Sequence, residues 1–363
     1  MESIILEKEY LLPGERLIIR ENNKKVVKDK NSFYTDVLSE KDYSNENLEK
    51  ITEKFSDIHN FQKSKKGIYI KLYTSKEIKK FDNYREDIRE QRKLHISINN
   101  NEIKFYDEIF GNEIDYYLNF FSEAYKKIIQ NKNQKIAVKN ELVHFDCIKF
   151  DKKTTAYLFH ELIGHLLEKD FYDLENNYIK NIQINFPKFL IIKHESDPYF
   201  DSLGVGQLDD LGNAFTDSVL IEDGNIKTII DYGNYRAASI YDDPVPRMRT
   251  LSVYSTQKMQ ENYYDSILII QKIWAGVVNP LTGDISVICD KALMELKGEK
   301  YYINSKIRIS GKLKDLIENL VYLGSENFYK TGKCIKYGQI LNVGVNGPES
   351  LFLNRNLKIC RVK

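Results

Sequence analysis

The sequence predicts an α+β protein of two domains, an abbreviated N-terminal α+β domain over residues 1–133 and a β-rich C-terminal domain over residues 134–363 that carries the functional helix. Three observations lead there. Many short runs rich in Ile, Val, Tyr and Phe are bounded by Asn, Asp and Gly, the residues that close strands. Two stretches, Glu113–Asn131 and Thr154–Asp170, carry apolar residues at helical spacing. The polar stretch Asn131–Lys135 between them reads as a linker.

In chain order, RLIIRE and KKVVKD read as two short strands turning on Asn22 and Asn23, and the charged stretch Glu40–Lys66 as helix plus loop. Ile68–Ser75 is a further strand, and Leu94–Ile109 a hairpin turning on Asn99–Asn101. Strand character returns at Ile136–Phe150, after which Thr154 or Thr155 caps the helix. Downstream, Phe189–Glu195, Asp217–Ile230, Leu251–Thr256, Asp284–Leu296 and Tyr301–Ser310 read as strands, several joined by turns such as Asp223-Gly224 and Lys297-Gly298. Two helices are expected among them, around Tyr263–Trp274 and Lys312–Gly324.

Composition narrows the function. Hydrophobic residues at 42% and charged residues at 29% fit a soluble globular chain, and 54 basic against 53 acidic residues give a net charge of +1. That balance supplies no global pull toward nucleic acid or an anionic membrane. The start of the chain carries Glu2, Glu7, Lys8 and Glu9 and lacks the apolar run of a signal peptide, and no later run has the length of a membrane span. A cytoplasmic protein is the expectation. Cys147, Cys289, Cys334 and Cys360 match no disulfide framework and are expected as thiols, one of them a possible ligand.

The chemistry concentrates in TTAYLFHELIGHLLEKD. Imidazole is a good zinc ligand, and a carboxylate beside a metal can take a proton from water. His160, Glu161 and His165 offer that set, and two of only six histidines flank this one glutamate. The spacing His-Glu-x-x-x-His is one residue longer than the zincin pattern. On a regular helix residues five apart sit about 140° apart, whereas residues four apart sit about 40° apart. A π-bulge at Gly164 closes that gap. The plainer reading is a core helix on Leu158, Phe159, Leu162, Ile163, Leu166 and Leu167 with incidental histidines.

The segment HELIGHLLEKD resembles the signature of the TldD/PmbA metallopeptidase family, in its TldD-like branch that retains His-Glu-x-x-x-His. The segments Leu208–Lys227, Val245–Thr250, Asn279–Ser286 and Lys306–Gly324 agree in order, whereas residues 1–133 resemble the family only weakly. The resemblance implies a zinc ion held by His160, His165 and Cys334, with Glu161 as catalytic base, leaving a fourth tetrahedral position open. It implies peptide substrates that are unfolded or extended, including precursors of ribosomally made modified peptides. It also implies a partner, either a motif-less TldE/PmbA-like paralogue or a second copy of this chain. A non-catalytic scaffold with an idle motif is the alternative, as is a zincin with another third ligand.

Glu168 and Asp170 match the end of the motif, where they orient a histidine or simply solvate the helix. Arg247 and Arg249 are candidates to hold a peptide carboxylate or carbonyl, or to pair with Asp242 or Asp243. In HFDC, alternation separates His144 and Asp146 from Cys147, which reads as a buried thiol beside a surface histidine. His194, Glu195 and Asp197, ahead of Pro198, read as a loop.

Overall fold

The computed structural model describes residues 2–13, 18–29, 32–44, 68–81, 86–99, 104–110, 144–196, 207–239, 241–258, 262–303 and 305–362, and the architecture given below is that of these residues. The helix expected over Glu113–Asn131, the linker Asn131–Lys135 and the boundary at residue 133 lie outside them, as does most of the charged stretch 40–66.

The described chain is mostly β-sheet with a few short helices. The first sheet is built from β1 (Glu2–Pro13), β2 (Ile18–Asp29), β3 (Ser32–Ser44), β4 (Ile68–Lys80), β5 (Glu86–Asn99) and β6 (Lys104–Phe110). It runs in the order β3-β2-β1-β4-β5-β6, antiparallel throughout. The hairpin expected over Leu94–Ile109 is the β5–β6 pair. The turn expected at Asn22 and Asn23 is a correction: both residues lie inside β2, which pairs on one side with β1 and on the other with β3. Two flanking strands satisfy its backbone on both edges, so the asparagines mark only a register shift between Asn23 and Lys24.

The described residues from Cys147 on form a six-stranded sheet, an eight-stranded sheet and a two-stranded pair. Their strands are β7 (Cys147–Phe150), β8 (Leu190–Glu195), β9 (Ser218–Glu222), β10 (Asn225–Ile226), β11 (Tyr235–Arg236), β12 (Val245–Pro246), β13 (Thr250–Ser255) and β14 (Ser266–Val278). They continue as β15 (Asp284–Leu296), β16 (Glu299–Tyr302), β17 (Ile307–Lys312), β18 (Leu320–Leu323), β19 (Phe328–Lys336), β20 (Gln339–Gly347), β21 (Ser350–Leu353) and β22 (Lys358–Arg361). The six-stranded sheet has the order β10-β9-β8-β13-β20-β19, the eight-stranded sheet the order β18-β21-β7-β14-β15-β17-β22 with β16 on β15, and the pair is β11–β12. Two contacts are parallel, β13 with β20 and β14 with β7.

Between the two larger of these sheets lies the helical segment that starts at Thr155. Its Leu158, Phe159, Leu162, Ile163, Leu166 and Leu167 join one core with Leu190 and Ile192 of β8, Leu251 and Val253 of β13, and Leu268 and Ile270 of β14. Thr154 and Thr155 do not cap it through their side chains. Instead Thr154 Oγ1 donates to the carbonyl of Ile270 (3.2 Å), and Thr155 Oγ1 donates to that of Phe150 (3.2 Å), fastening the helix start to β14 and β7.

The expected helix around Tyr263–Trp274 is also corrected. Its Ile267, Ile269, Ile270 and Ile273 are β-branched, and the run is the long strand β14 paired with β7 and β15. The Lys312–Gly324 helix is limited to Leu313–Glu318, with β18 following. No helix among the described residues is long and apolar enough to cross a membrane. The first sheet is tied to the loop before Leu211 by buried ion pairs, Lys79 to Asp210 at 2.7 Å and Arg89 to Asp210 at 2.6 Å.

Candidate metal centre

The helix changes its winding where the motif needs it. Thr155–Phe159 is α-helical, His160–Gly164 is a π turn and His165–Leu167 a 3-10 turn. The His165 amide donates to the His160 carbonyl, so residues five apart stand one above the other. Gly164 permits this close to β13. A Cβ there would lie 2.2 Å from Met248 Sδ and 2.9 Å from Leu251 Cδ1.

With that turn in place, the His160 and His165 rings lie 5.0 Å apart and nearly perpendicular. One ligand atom each from His160, His165 and Cys334 falls within 4.8 Å of the others. Cys334 comes from β19, at the end of its sheet among the described residues. Its Sγ is 3.2 Å from His165 Nε2. His160 is fully buried, and neither ring nitrogen makes a hydrogen bond of ordinary geometry among the described residues. A buried imidazole left this way is expensive unless a further partner takes its lone pair. The two-nitrogen, one-sulfur donor set therefore fits a borderline-soft divalent ion.

Electrostatics agree with ligation. Burial alone would raise the Cys334 thiol, but His160 and His165 outweigh it and bring it down to about 5, giving a thiolate at neutral pH. Burial likewise opposes a charged His165, yet Glu168 and then Cys334 raise it well above an ordinary imidazole. Glu168 holds the proton on Nδ1, so the proton facing the thiolate is the one a metal would displace. Burial pushes Glu168 up, but His165 and Lys336 reverse this and hold it at about 2.

Glu161 lies beside this cluster. Gly276 of β14 packs on it, since a Cβ at Gly276 would sit 2.9 Å from Glu161 Cβ. Burial raises its carboxyl, an effect only partly offset by His160 and His165. The Tyr157 hydroxyl is within hydrogen-bonding reach of that carboxylate, and the Tyr157 ring stacks on His160 at 6.3 Å and 8°.

A sequence profile of the PmbA/TldA metallopeptidase C-terminal domain matches residues 147–355. The chain belongs to the PmbA/TldA metallopeptidase family. No curated protein matches it by sequence. Among solved structures it is similar to TldE from Thermococcus kodakarensis, 12% identical with a TM-score of 0.63, covering 98% of this chain and 95% of that one. A candidate modulator of DNA gyrase from Thermotoga maritima is 12% identical with a TM-score of 0.61, covering 99% and 95%. At that identity the likeness shows a shared fold, and the mostly-β architecture is the one these proteins have.

Within this PmbA/TldA chain, the remaining candidates fall as follows. Glu168 is fully buried and accepts from His165 Nδ1 (2.9 Å) and from the Met248 amide (3.1 Å). Asp170 stands further out, with Lys336 Nζ at 2.7 Å. Arg247 is fully buried and donates to the Cys334 carbonyl at 2.9 Å. Arg249 is one step removed: its amide donates to His194 Nε2 at 2.8 Å, and its guanidinium stacks on Phe215 at 4.3 Å. Asp242 accepts from Ser239 at 2.8 Å.

His194 is a correction. It belongs to β8, fully buried against Phe215, and burial first and then Arg249 push it down to about 3. The run Phe189–Glu195 already indicated this strand, and the competing loop reading of His194 and Glu195 is the one corrected; what local sequence does not reveal is the partner Arg249, on the approach to β13. His144 is exposed and Cys147 buried, as alternation indicated. Two residues were passed over. Tyr157 stands four before Glu161, hence on the same helical face, and Lys336 stands two after Cys334, hence on the same strand face.

Proposed function

We propose that this chain is a zinc-dependent peptidase, with His160, His165 and Cys334 as ligands and Glu161 as the general base. The observation that carries this reading is the convergence of three ligand atoms within 4.8 Å, beside the half-buried Glu161 carboxylate, whose proton affinity is raised. Zinc, when bound, supplies a Lewis acid that polarises a carbonyl and makes water more acidic. Glu161 would accept the proton of the attacking water and pass it to the leaving amine, a role for which a raised carboxyl is suited. Tyr157 would hold the Glu161 carboxylate in place, and Arg247 would fix the backbone of Cys334.

The substrate on this reading is an unfolded or extended peptide, such as the precursor of a ribosomally made modified peptide. Such a chain can add to a sheet edge through backbone hydrogen bonds. β19 bears Cys334 and ends its sheet among the described residues, which supports that mode. The same reading divides the chain into an N-terminal domain, 1–133, and a catalytic domain, 134–363, and sets it in the cytoplasm. It also includes a partner, either a motif-less TldE/PmbA-like paralogue or a second copy.

Comparing Glu161→Gln with Cys334→Ala in one peptide-cleavage assay tests this. Glu161→Gln leaves the ligands untouched, so zinc should stay while turnover falls by roughly two to four orders of magnitude. Cys334→Ala should weaken zinc itself by deleting the only thiolate. Normal zinc affinity in Cys334→Ala would place the third ligand elsewhere. A wild-type chain that holds zinc yet cleaves nothing, alone or with a paralogue, would favour the non-catalytic scaffold.

A further inference from the structure

Lys336 is a buried cation that the proposed chemistry does not use. Only 5% exposed, it directs its ammonium at Glu168 Oε2 (2.6 Å), Asp170 Oδ1 (2.7 Å) and the Pro246 carbonyl (3.3 Å). Those three acceptors take all three of its N–H donors. The rings of Phe171 and Tyr337 lie 4.5 and 5.5 Å from the nitrogen. Glu168 is equally committed, with Oε1 on the Met248 amide and Oε2 shared between His165 Nδ1 and Lys336.

We propose that Lys336 is a positioning residue of the metal centre: it clamps the Glu168 carboxylate against His165 Nδ1, so that the ring presents Nε2 toward Cys334. The proposal rests on the ligand set assigned above. Cys334 and Lys336 share one face of β19, two residues and about 7 Å apart along the strand. One rigid strand therefore holds His165 from both sides, through sulfur at Nε2 and through Lys336 and Glu168 at Nδ1. A carboxylate in this position fixes the tautomer and rotation of a metal-binding histidine. Without the ammonium, Glu168 and Asp170 would face each other as two like charges with nothing between them, and one would swing away from its present position.

Stability alone does not explain the clamp. A buried ion cluster seldom adds net stability over apolar packing of the same volume, so its particular effect is to keep one carboxylate aimed at His165. Charge alone predicts the opposite of positioning, because deleting a cation near the site should tighten the binding of a divalent ion.

The test is Lys336→Met, which keeps the unbranched stem, alongside Lys336→Arg and Asp170→Asn in the full chain. Zinc affinity is measured by competition with a chromophoric chelator, and cobalt-substituted protein is read for its thiolate charge-transfer band. Positioning predicts that Lys336→Met weakens zinc by about 10- to 100-fold and shifts the cobalt band, with partial recovery in Lys336→Arg. Asp170→Asn leaves Lys336 and Glu168 present, and should give a smaller loss in the same direction. It also serves as the measurement if Lys336→Met does not fold. Zinc affinity in Lys336→Met equal to or tighter than wild type, or wild-type affinity and cobalt spectrum in Asp170→Asn when Lys336→Met is unfolded, would overturn the proposal. These readouts need no turnover. A wild-type chain that binds zinc without cleaving peptides would overturn the peptidase reading and leave Lys336 testable.

Discussion

Replacing Gly164 by Ala should damage the metal centre without touching a ligand. The added Cβ would meet Met248 Sδ at 2.2 Å, Met248 Cε at 2.8 Å and Leu251 Cδ1 at 2.9 Å. Ordinary contact begins near 3.4 Å, so the sulfur would have to retreat by about 1 Å. Met248 has little room, being 1% exposed with its amide on Glu168 and its carbonyl on Arg236. Overpacking of this kind costs about 1–3 kcal/mol. Alanine recovers up to about 1 kcal/mol through its better helix propensity, which leaves a net loss of roughly 1–2 kcal/mol. The neighbouring His165 should shift with the turn, and zinc affinity should fall by about tenfold, as when the support of a ligand is disturbed. Denaturant unfolding and chelator competition read both effects. Met248→Ala should relieve the clash, making the double mutant at least about 1 kcal/mol less destabilised than the two single changes would give together. Strict additivity, or a Gly164→Ala chain with wild-type stability, would refute the packing argument.

Tyr157→Phe should keep full zinc occupancy while kcat falls by roughly 10- to 100-fold, the value of a hydrogen bond to a charged group; unchanged turnover would remove Tyr157 from the site. His194 has a depressed folded value of about 3, so below the ordinary imidazole value of 6.5 the unfolded chain binds a proton that the native chain does not. Its contribution is complete above that value and is lost as pH falls toward 3, amounting to about 2 kcal/mol by pH 5. Denaturant titrations at pH 7 and pH 5 should show this loss in the metal-loaded wild type and a smaller one in His194→Gln, whose side chain keeps an acceptor for the Arg249 amide. Equal losses in both would assign the pH dependence to other groups.

The legible part of the site was local. His160, Glu161, His165, Glu168 and Asp170 lie within eleven consecutive residues, and helical geometry alone demanded an altered turn at Gly164 to bring the histidines together. The π turn at His160–Gly164 supplies it. What escaped was non-local. β14 reads as a helix because its Ile-rich run lacks clean alternation, and only β7 and β15 on either side decide for strand. The run Phe189–Glu195 shows the strand that carries His194, but Arg249, its partner across 55 residues, is invisible to spacing. Lys336 sits beside Cys334 in sequence, but nothing in the segment TGKCIKYGQ announces that two carboxylates just beyond the distant metal-motif helix await it, Glu168 in extended backbone after Leu167 and Asp170 in the short turn that follows.

The site joins two segments about 170 residues apart, so its integrity depends on strand register more than on any single contact. Cys334 pairs with Leu341 in the β19–β20 ladder, and β20 is pinned in turn by its parallel pairing with β13, where Thr250 meets Gly344. Gly344 has no room for a side chain, since a Cβ would lie 2.5 Å from Thr250 Oγ1 and 2.9 Å from Tyr329 Oη. That tight crossing fixes how far β20 can slide, and β19 follows it. A slip of one residue would turn Cys334 and Lys336 to the outer face, where Ile335 is now 68% exposed. Ligand and clamp would leave together. The alternation that makes Cys334 a ligand therefore also makes Lys336 its companion, and the same glycine crossing secures both.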